Sequence, residues 1–140
     1  MGFEMELSDE QWREKLPEDR YEVLRKAATE SPFSGSLLHV EGDGSFTCGG
    51  CGQALFESGA KFDSNSGWPS FDRAIPGTVV ERADKSLFMR RTEIVCSRCG
   101  GHLGHVFDDG PTETGMRYCV NSLAIDFENV AASKDAPQPG

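Results

Sequence analysis

The sequence lacks the features that mark membrane proteins and nucleic-acid-binding proteins. It has no apolar run of the roughly twenty residues that a bilayer-spanning helix needs. Its first residues, MGFEMELSDEQW, are acidic where a secretory signal would be basic and then apolar. It has no basic patch, and its net charge of −9 disfavours binding to nucleic acid or to an anionic membrane. We therefore expect a cytoplasmic protein that binds neither.

The chain also has little room for more than one domain. Its 140 residues suit one compact core, and its hydrophobic content of 37% and charged content of 26% are globular values. We predict a single domain over residues 1–130. The segment AASKDAPQPG offers no core material, so residues 131–140 are expected to be a flexible tail. We expect the protein to be a monomer.

Two short helices are predicted near the N-terminus, within about residues 8–29. The sequence from Ser8 to Gln11 fits a capping box, in which each of these two side chains accepts a backbone hydrogen bond from the other residue. Trp12 and Leu16 lie four residues apart and share one face of the first helix. Pro17 then suits the first turn of a second helix.

A different pattern occupies about residues 36–127. Short β-like runs alternate with Gly, Asp, Asn and Pro: SLLHV, SFTC, ALF, TVVERA, LFMRRTEIV and RYCVNSLAIDF. This spacing predicts a mainly β fold of antiparallel strands, arranged as a small barrel or as two sheets.

The sequence contains five cysteines, of which four form two CxxC pairs. Cys48 and Cys51 lie in CGGC, and Cys96 and Cys99 lie in CSRC. In a secreted protein they could form two disulfides, whereas in a reducing compartment paired CxxC motifs indicate metal binding. Four thiolates complete a tetrahedron around Zn²⁺ and leave no open position. We therefore predict one structural zinc ion per chain.

The fifth cysteine, Cys119 in RYCVNS, stands apart from these pairs. Strand alternation would place Arg117, Cys119 and Asn121 on one face that continues to Phe127. A guanidinium beside a thiol favours the thiolate, and the Asn121 amide can donate a hydrogen bond to the thiolate or to a substrate. The alternative is a buried structural cysteine, since free cysteine is among the most buried residue types.

The segment GGHLGHVFDDGP concentrates His102, His105 and Asp109 just after the second CxxC pair. Histidine is the natural proton donor near neutral pH, and an aspartate can orient it. Two alternatives remain open. The segment could be a polar turn with local hydrogen bonds, or His102, His105 and Cys119 could form a catalytic metal site of a hydrolase.

Aromatic residues crowd the segment KFDSNSGWPSF. An aromatic wall beside a reactive thiol would hold a small apolar group such as a methyl on sulfur. Trp68, between a glycine and a proline, is the better candidate for an exposed wall. Phe71 is a second candidate, although core packing is the more common role for such a phenylalanine.

In this order, the segments resemble methionine-R-sulfoxide reductases, the B-type methionine sulfoxide reductases. The resemblance covers residues 31–127 and rests on PFSG, CGGCGQALF, KFDSNSGWPSF, CSRCGGHLGHVFDDGP and TGMRYCVNSLAIDF. It implies a small, mostly antiparallel β fold clamped by a four-cysteine zinc, with helices at its N-terminal end. It implies that Cys119 is the nucleophile, that Trp68 binds the substrate methyl group, and that the remaining polar site consists of His102, His105, Asp109, Arg117 and Asn121.

The resemblance also implies a reaction. Cys119 would attack the sulfur of the R epimer of methionine sulfoxide in peptides and become a sulfenic acid. Many members of the family carry a resolving cysteine where this chain has Ser66, so an external thiol such as thioredoxin would reduce the sulfenic acid directly. The non-enzymatic alternative is a zinc-stabilised β module that binds a protein partner, which would give Cys119 no role.

Overall fold

The computed structural model describes residues 3, 5–40, 42–84 and 91–129. Two short helices lie at the N-terminal end: α1 at Asp9–Lys15 and α2 at Glu18–Lys26. The predicted tail at residues 131–140 lies outside the described residues. No helix in the described part of the chain is long and apolar enough to cross a membrane.

The N-terminal helices form as the local sequence predicts. The side chain of Ser8 accepts a hydrogen bond from the Gln11 amide and the side chain of Gln11 accepts one from the Ser8 amide, so the predicted capping box is present. Trp12 is buried in the core, where the guanidinium of Arg25 from α2 lies 4.5 Å from its ring centre. Pro17 is the N-cap of α2, one position before the first turn in which the sequence predicts it. The helices thereby cover one side of the β structure.

In the part of the chain that the structure describes, nine strands form two antiparallel sheets, which confirms the prediction of a mainly β fold with two sheets. The strands are β1 Gly44–Cys48, β2 Ala54–Glu57, β3 Lys61–Phe62, β4 Ser70–Phe71, β5 Val79–Asp84, β6 Arg91–Cys96, β7 His102–Phe107, β8 Arg117–Val120 and β9 Ile125–Asn129. One sheet has the order β2-β1-β9, and the other has the order β3-β4-β8-β7-β6-β5.

The core contains a cluster of three fully buried phenylalanines from both sheets. The ring of Phe71 stacks on that of Phe56, with centroids 4.3 Å apart, and lies edge-on to that of Phe46 at 4.9 Å. Such packing buries a large apolar area and fixes how the two sheets meet. Phe71 thus has the core position that is usual for such a residue.

The predicted continuous strand RYCVNSLAIDF is interrupted. β8 ends at Val120, a single 3₁₀ turn follows at Ser122–Ala124, and β9 then joins the other sheet. The expectation that the face of Cys119 continues to Phe127 is therefore wrong, because the turn carries the chain from one sheet to the next. SLLHV likewise forms turns and bends rather than a strand.

The pairing of β8 with its neighbours positions the residues around Cys119. In register, Cys119 lies opposite His105 of β7 on one side and opposite Ser70 of β4 on the other. Gly104 permits the close approach of β7 and β8, because a Cβ atom there would lie 1.9 Å from the Cys119 carbonyl oxygen. The segment HLGHVF is therefore a strand and not the polar turn considered as an alternative.

Candidate active site

Cys119 lies at the wall of a cavity of about 320 Å³. Its side chain is buried, with 8% of the residue exposed, so a reagent reaches the sulfur through this cavity. The other lining residues come from the segment after α2, the loop before β4, strands β6 to β8 and the residue that follows β8: Thr29, Ser66, Trp68, Arg91, Gly104, His105, Phe107, Arg117 and Asn121.

Arg117 is hydrogen-bonded to both the Cys119 sulfur and the Asp109 carboxylate. Its Nη1 donates to the Sγ of Cys119 over 2.9 Å, while its Nε and Nη2 donate to the two oxygens of Asp109 over 2.7 and 3.0 Å. The guanidinium also lies 4.6 Å from the ring centre of Phe107. Four contacts leave the planar group little freedom, so a fixed positive charge faces the sulfur.

The ion pair between Arg117 and Asp109 shifts both partners toward their charged forms. Hydrogen bonding from Arg117 lowers the pKa of Asp109 below its usual value. The hydrogen bonds to Asp109, and then the charge of Cys119, raise the pKa of Arg117. The Asp109 side chain is largely exposed and lines an adjoining groove with Arg117. Its carboxylate orients the arginine and not a histidine, contrary to the sequence-based expectation.

The two histidines differ in their surroundings. His105 lies opposite Cys119 in the sheet and lines the cavity. His102 is buried outside the cavity lining, and its Nδ1 lies 2.7 Å from Oε2 of Glu93. The two imidazole rings are 5.5 Å apart and nearly perpendicular. His105 is therefore placed to contact a ligand in the cavity, and His102 lies behind it.

Trp68 and Asn121 share a partner, Glu30, in the segment between α2 and the β structure. The backbone carbonyl of Glu30 accepts from the Trp68 indole over 3.0 Å, and its backbone amide donates to Oδ1 of Asn121 over 3.0 Å. Oε1 of Glu30 accepts from the Leu123 amide over 3.0 Å. Asn121 also donates to the carbonyl of Leu103. The walls of the cavity are thus fixed by buried hydrogen bonds.

The structure gathers most of the predicted site residues around one cavity. Cys119, Arg117, Asn121, His105 and Trp68 line it, and Asp109 reaches it through Arg117. His102 and Phe71 do not line it.

Sequence reasoning missed Glu30 and Glu93. Glu30 is hydrogen-bonded to Trp68 and Asn121, and Glu93 contacts His102. Glu93 lies opposite His105 in the pairing of β6 with β7, and no local motif marks it. Glu30 lies two residues before Pro32 of the PFSG segment, and this proximity was the only available signal.

The four CxxC cysteines converge as the sequence predicts. Their sulfur atoms all lie within 4.8 Å of one another, with 3.6 Å between Cys48 and Cys99 and 3.5 Å between Cys51 and Cys96. A tetrahedral zinc site with bonds of roughly 2.3 Å places its sulfurs roughly 3.8 Å apart. The spacing and the all-sulfur donor set fit a closed metal site.

The electrostatics of this cluster favour a bound cation. Hydrogen bonds that Cys48 donates to its neighbours, Cys51 first, raise the pKa of Cys48. Hydrogen bonding from Cys48 lowers the pKa of Cys96 to about 2. These opposite shifts describe sulfurs that share protons, because four adjacent thiolates repel one another. A divalent cation removes that repulsion and allows all four to ionise.

Comparison with known proteins gives consistent matches. The family model of the SelR domain matches residues 16–129. The peptide methionine sulfoxide reductase MsrB of Methanosarcina barkeri is 48% identical over 135 residues, with 96% of this chain and 95% of that protein covered. The MsrB of Bradyrhizobium diazoefficiens is 55% identical over 122 residues, with 86% of this chain and 88% of that protein covered.

The same fold also occurs in a protein of low sequence identity. The crystal structure of the Mis18 Yippee-like domain matches with a TM-score of 0.52 at 18% identity, covering 63% of this chain and 97% of that one. Identity this low establishes a common fold alone. The family model and the closely similar relatives establish more: the chain belongs to the SelR family of methionine-R-sulfoxide reductases.

Proposed function

We propose that this protein reduces the R epimer of methionine sulfoxide in peptides and proteins, with Cys119 as the nucleophile. The observation that carries the proposal is the 2.9 Å hydrogen bond from Arg117 to the Cys119 sulfur at the wall of a cavity. A thiolate, not a thiol, is the nucleophilic form of cysteine, and an adjacent guanidinium favours it. The family membership supports the same reaction.

The first chemical step joins the Cys119 sulfur to the substrate. The thiolate attacks the sulfoxide sulfur while the sulfoxide oxygen takes up a proton. We assign that proton to His105, because it faces Cys119 across the sheet and lines the cavity. The sulfoxide is then reduced to methionine, and Cys119 is oxidised to a sulfenic acid that retains the oxygen.

Substrate selection rests on the shape of the same cavity. Trp68 lines it and is held by its indole hydrogen bond to Glu30, so its ring offers a fixed apolar surface for the substrate methyl group. The preference for the R epimer follows from the family.

Regeneration requires a thiol from outside the chain. Ser66 stands at the position where many family members carry a resolving cysteine, and its Oγ lies 3.7 Å from the Cys119 sulfur. One external thiol condenses with the sulfenic acid to give a mixed disulfide and water, and a second thiol releases reduced Cys119. We assign this role to thioredoxin or a comparable dithiol.

Zinc is the metal that we assign to the four-cysteine site, where it would be held by Cys48, Cys51, Cys96 and Cys99. Its role would be structural, because the four thiolates fill its coordination sphere. A reducing compartment such as the cytoplasm suits a protein whose five cysteines are all reduced.

The hydrolase alternative needs a metal held by His102, His105 and Cys119. Within the described part of the chain, the candidate metal-binding group is the four-cysteine cluster. His102 instead contacts Glu93, and the sulfur of Cys119 accepts from Arg117. These contacts favour the reductase.

The proposed function is tested with the two epimers of a methionine-sulfoxide peptide and dithiothreitol as reductant. We expect methionine from the R epimer alone, and no turnover by Cys119→Ser. Equal reduction of both epimers would refute the stereochemical assignment. Full activity of Cys119→Ser would show that Cys119 is not the nucleophile.

A further inference from the structure

Three serine hydroxyls and the Cys119 sulfur form a closed ring of contacts. The sulfur lies 3.7 Å from Oγ of Ser66 and 3.7 Å from Oγ of Ser70. Oγ of Ser64 joins the other two hydroxyls, at 2.8 Å from Ser66 and 2.7 Å from Ser70. Two hydroxyls therefore touch the sulfur, and the third links them.

The ring is built by the sheet and by a tight loop. Ser70 is opposite Cys119 in the pairing of β4 with β8 and is almost fully buried. In the loop before β4, the amide of Ser66 donates to Oγ of Ser64 over 3.2 Å, and the amide of Trp68 donates to Oγ of Ser66 over 3.3 Å. These bonds fix the hydroxyl oxygens in place.

The same hydrogen bonds determine which acceptors are available to each hydroxyl proton. Oγ of Ser66 accepts from the Trp68 amide and from the Ser64 hydroxyl, which occupies both of its lone pairs. Its own proton then has two acceptors in reach: the Cys119 sulfur and, over 3.4 Å, the Trp68 carbonyl. The proton of Ser70 has three: the sulfur, Ser64, and the Trp68 carbonyl at 3.1 Å.

The ring distinguishes a thiol from a thiolate. A Cys119 thiol donates its own proton to Oγ of Ser70, so its sulfur accepts at most one hydrogen bond, from the Ser66 hydroxyl. When that thiol proton has left for bulk water, the sulfur is an acceptor only, and Ser66 and Ser70 can both turn their protons toward it. Hydrogen bonds to an ionised acceptor are about twice as strong as neutral ones. The thiolate therefore draws the Ser66 proton from the Trp68 carbonyl, and the Ser70 proton from that carbonyl and from Oγ of Ser64.

We propose that Ser66 and Ser70 are catalytic residues, which donate hydrogen bonds to the Cys119 thiolate and hold it for attack, with Ser64 as the positioning residue that orients them. The proposal rests on the proposed function in one respect, since Cys119 is taken as the reacting atom. It adds two neutral donors to the charged donor Arg117. It also gives Ser66 a role of its own in a chain without a resolving cysteine.

The test measures alkylation of Cys119 by iodoacetamide in the zinc-loaded protein, which requires no sulfoxide substrate. Peptide mapping by mass spectrometry follows Cys119 across a pH series in wild type, Ser66→Ala and Ser70→Ala. Ser122→Ala is the matched control, because Ser122 is also a buried serine but accepts its hydrogen bond from the Leu37 amide, away from the sulfur. Zinc content and thermal unfolding verify that each variant folds.

We expect Ser66→Ala and Ser70→Ala each to slow alkylation at pH 7 by about tenfold, which corresponds to one hydrogen bond of about 1.4 kcal/mol. The rate at high pH, where the thiol is fully ionised, should match wild type, and Ser122→Ala should match wild type throughout. If Ser70→Ala fails to fold, Ser66→Ala alone tests the proposal, because Ser66 is only half-buried.

Profiles of both variants within twofold of wild type at every pH would overturn the proposal. A variant slowed equally at all pH values would also overturn it, since blocked access has that signature and thiolate stabilisation does not. A further outcome is that wild type gives the expected alkylation results and yet fails to reduce methionine sulfoxide. In that case the proposed function is wrong, whereas the role of Ser66 and Ser70 toward the thiolate is supported.

Discussion

The guanidinium of Arg117 approaches the sulfur of Cys119 to 2.9 Å from a position two residues earlier on the same strand. Side chains two residues apart point to the same face of a strand, so this contact follows directly from the β conformation of residues 117–120. The remaining guanidinium nitrogens bind Asp109, which keeps the charge fixed against the sulfur.

We predict that Arg117→Ala slows alkylation of Cys119 at pH 7 by about tenfold or more, because a charge-assisted hydrogen bond contributes roughly 1.5–3 kcal/mol. Arg117→Lys should recover part of the rate, since it restores the charge but not the bidentate contact with Asp109. An unchanged rate in Arg117→Ala, with zinc content preserved, would assign Arg117 another role.

Asp109→Asn should reduce the reactivity of Cys119 in a pH-dependent way. The pKa of Asp109 is lowered by Arg117, so its contribution is complete above the ordinary aspartate value near 4 and disappears as the pH falls through the lowered value. Dithiodipyridine, which reacts with thiols in acid, should therefore react faster with wild type than with the variant at pH 5 to 7. The two rates should converge as the pH falls through the lowered pKa of Asp109. A constant ratio down to the most acidic pH would contradict this assignment.

His105→Gln should lower kcat by about a hundredfold or more, the usual contribution of a general acid, with a smaller effect on KM. His102→Gln is the matched comparison, because His102 lies outside the cavity lining and contacts Glu93. We expect it to act mainly on stability. Steady-state kinetics with the R-sulfoxide peptide distinguish the two, and a larger kcat loss in His102→Gln would reverse the assignment.

Cys48→Ser or Cys96→Ser should lose the metal and unfold at a much lower temperature than wild type. Structural zinc contributes about 10–16 kcal/mol in small domains, which matches or exceeds the whole stability of a domain this size, about 5–15 kcal/mol. Elemental analysis and calorimetry measure both effects, with Cys119→Ser as the metal-retaining control. A metal-free variant as heat-resistant as wild type would contradict a structural role for the metal.

Ser66→Cys should convert the enzyme to one that resolves its own sulfenic acid. The Oγ of Ser66 lies 3.7 Å from the Cys119 sulfur, and a disulfide of roughly 2.05 Å needs only a modest approach of the two side chains. After one turnover without reductant, mass spectrometry should find a disulfide between Cys119 and the introduced thiol. A persistent Cys119 sulfenic acid in this variant would mean that the two side chains cannot meet.

Local sequence signals predicted the parts of the molecule that local chemistry determines. The capping box at Ser8 is a contact within one turn, and each CxxC pair lies within one tight turn, so both could be read from neighbouring residues. The contact of Arg117 with Cys119 has the same origin, since the two residues share one strand face.

Contacts that depend on strand register could not be predicted in this way. Glu93 meets His102, and Ser70 meets Cys119, only because particular strands pair in a particular alignment. The turn at Ser122–Ala124 was also missed, since SLA lies in an apolar run that is typical of a strand. Its position between two sheets, a tertiary property, decides its conformation.

The most direct test of Cys119 as the nucleophile is mass spectrometry after a single turnover of the reduced, zinc-loaded protein. The protein is mixed with one equivalent of R-sulfoxide peptide and dimedone, without reductant. We expect one methionine formed per dimedone adduct, the adduct on Cys119 alone, and the metal retained by the four cysteines. Methionine formed while Cys119 stays unmodified, or a disulfide from Cys119 to one of those four cysteines with release of the metal, would contradict the account.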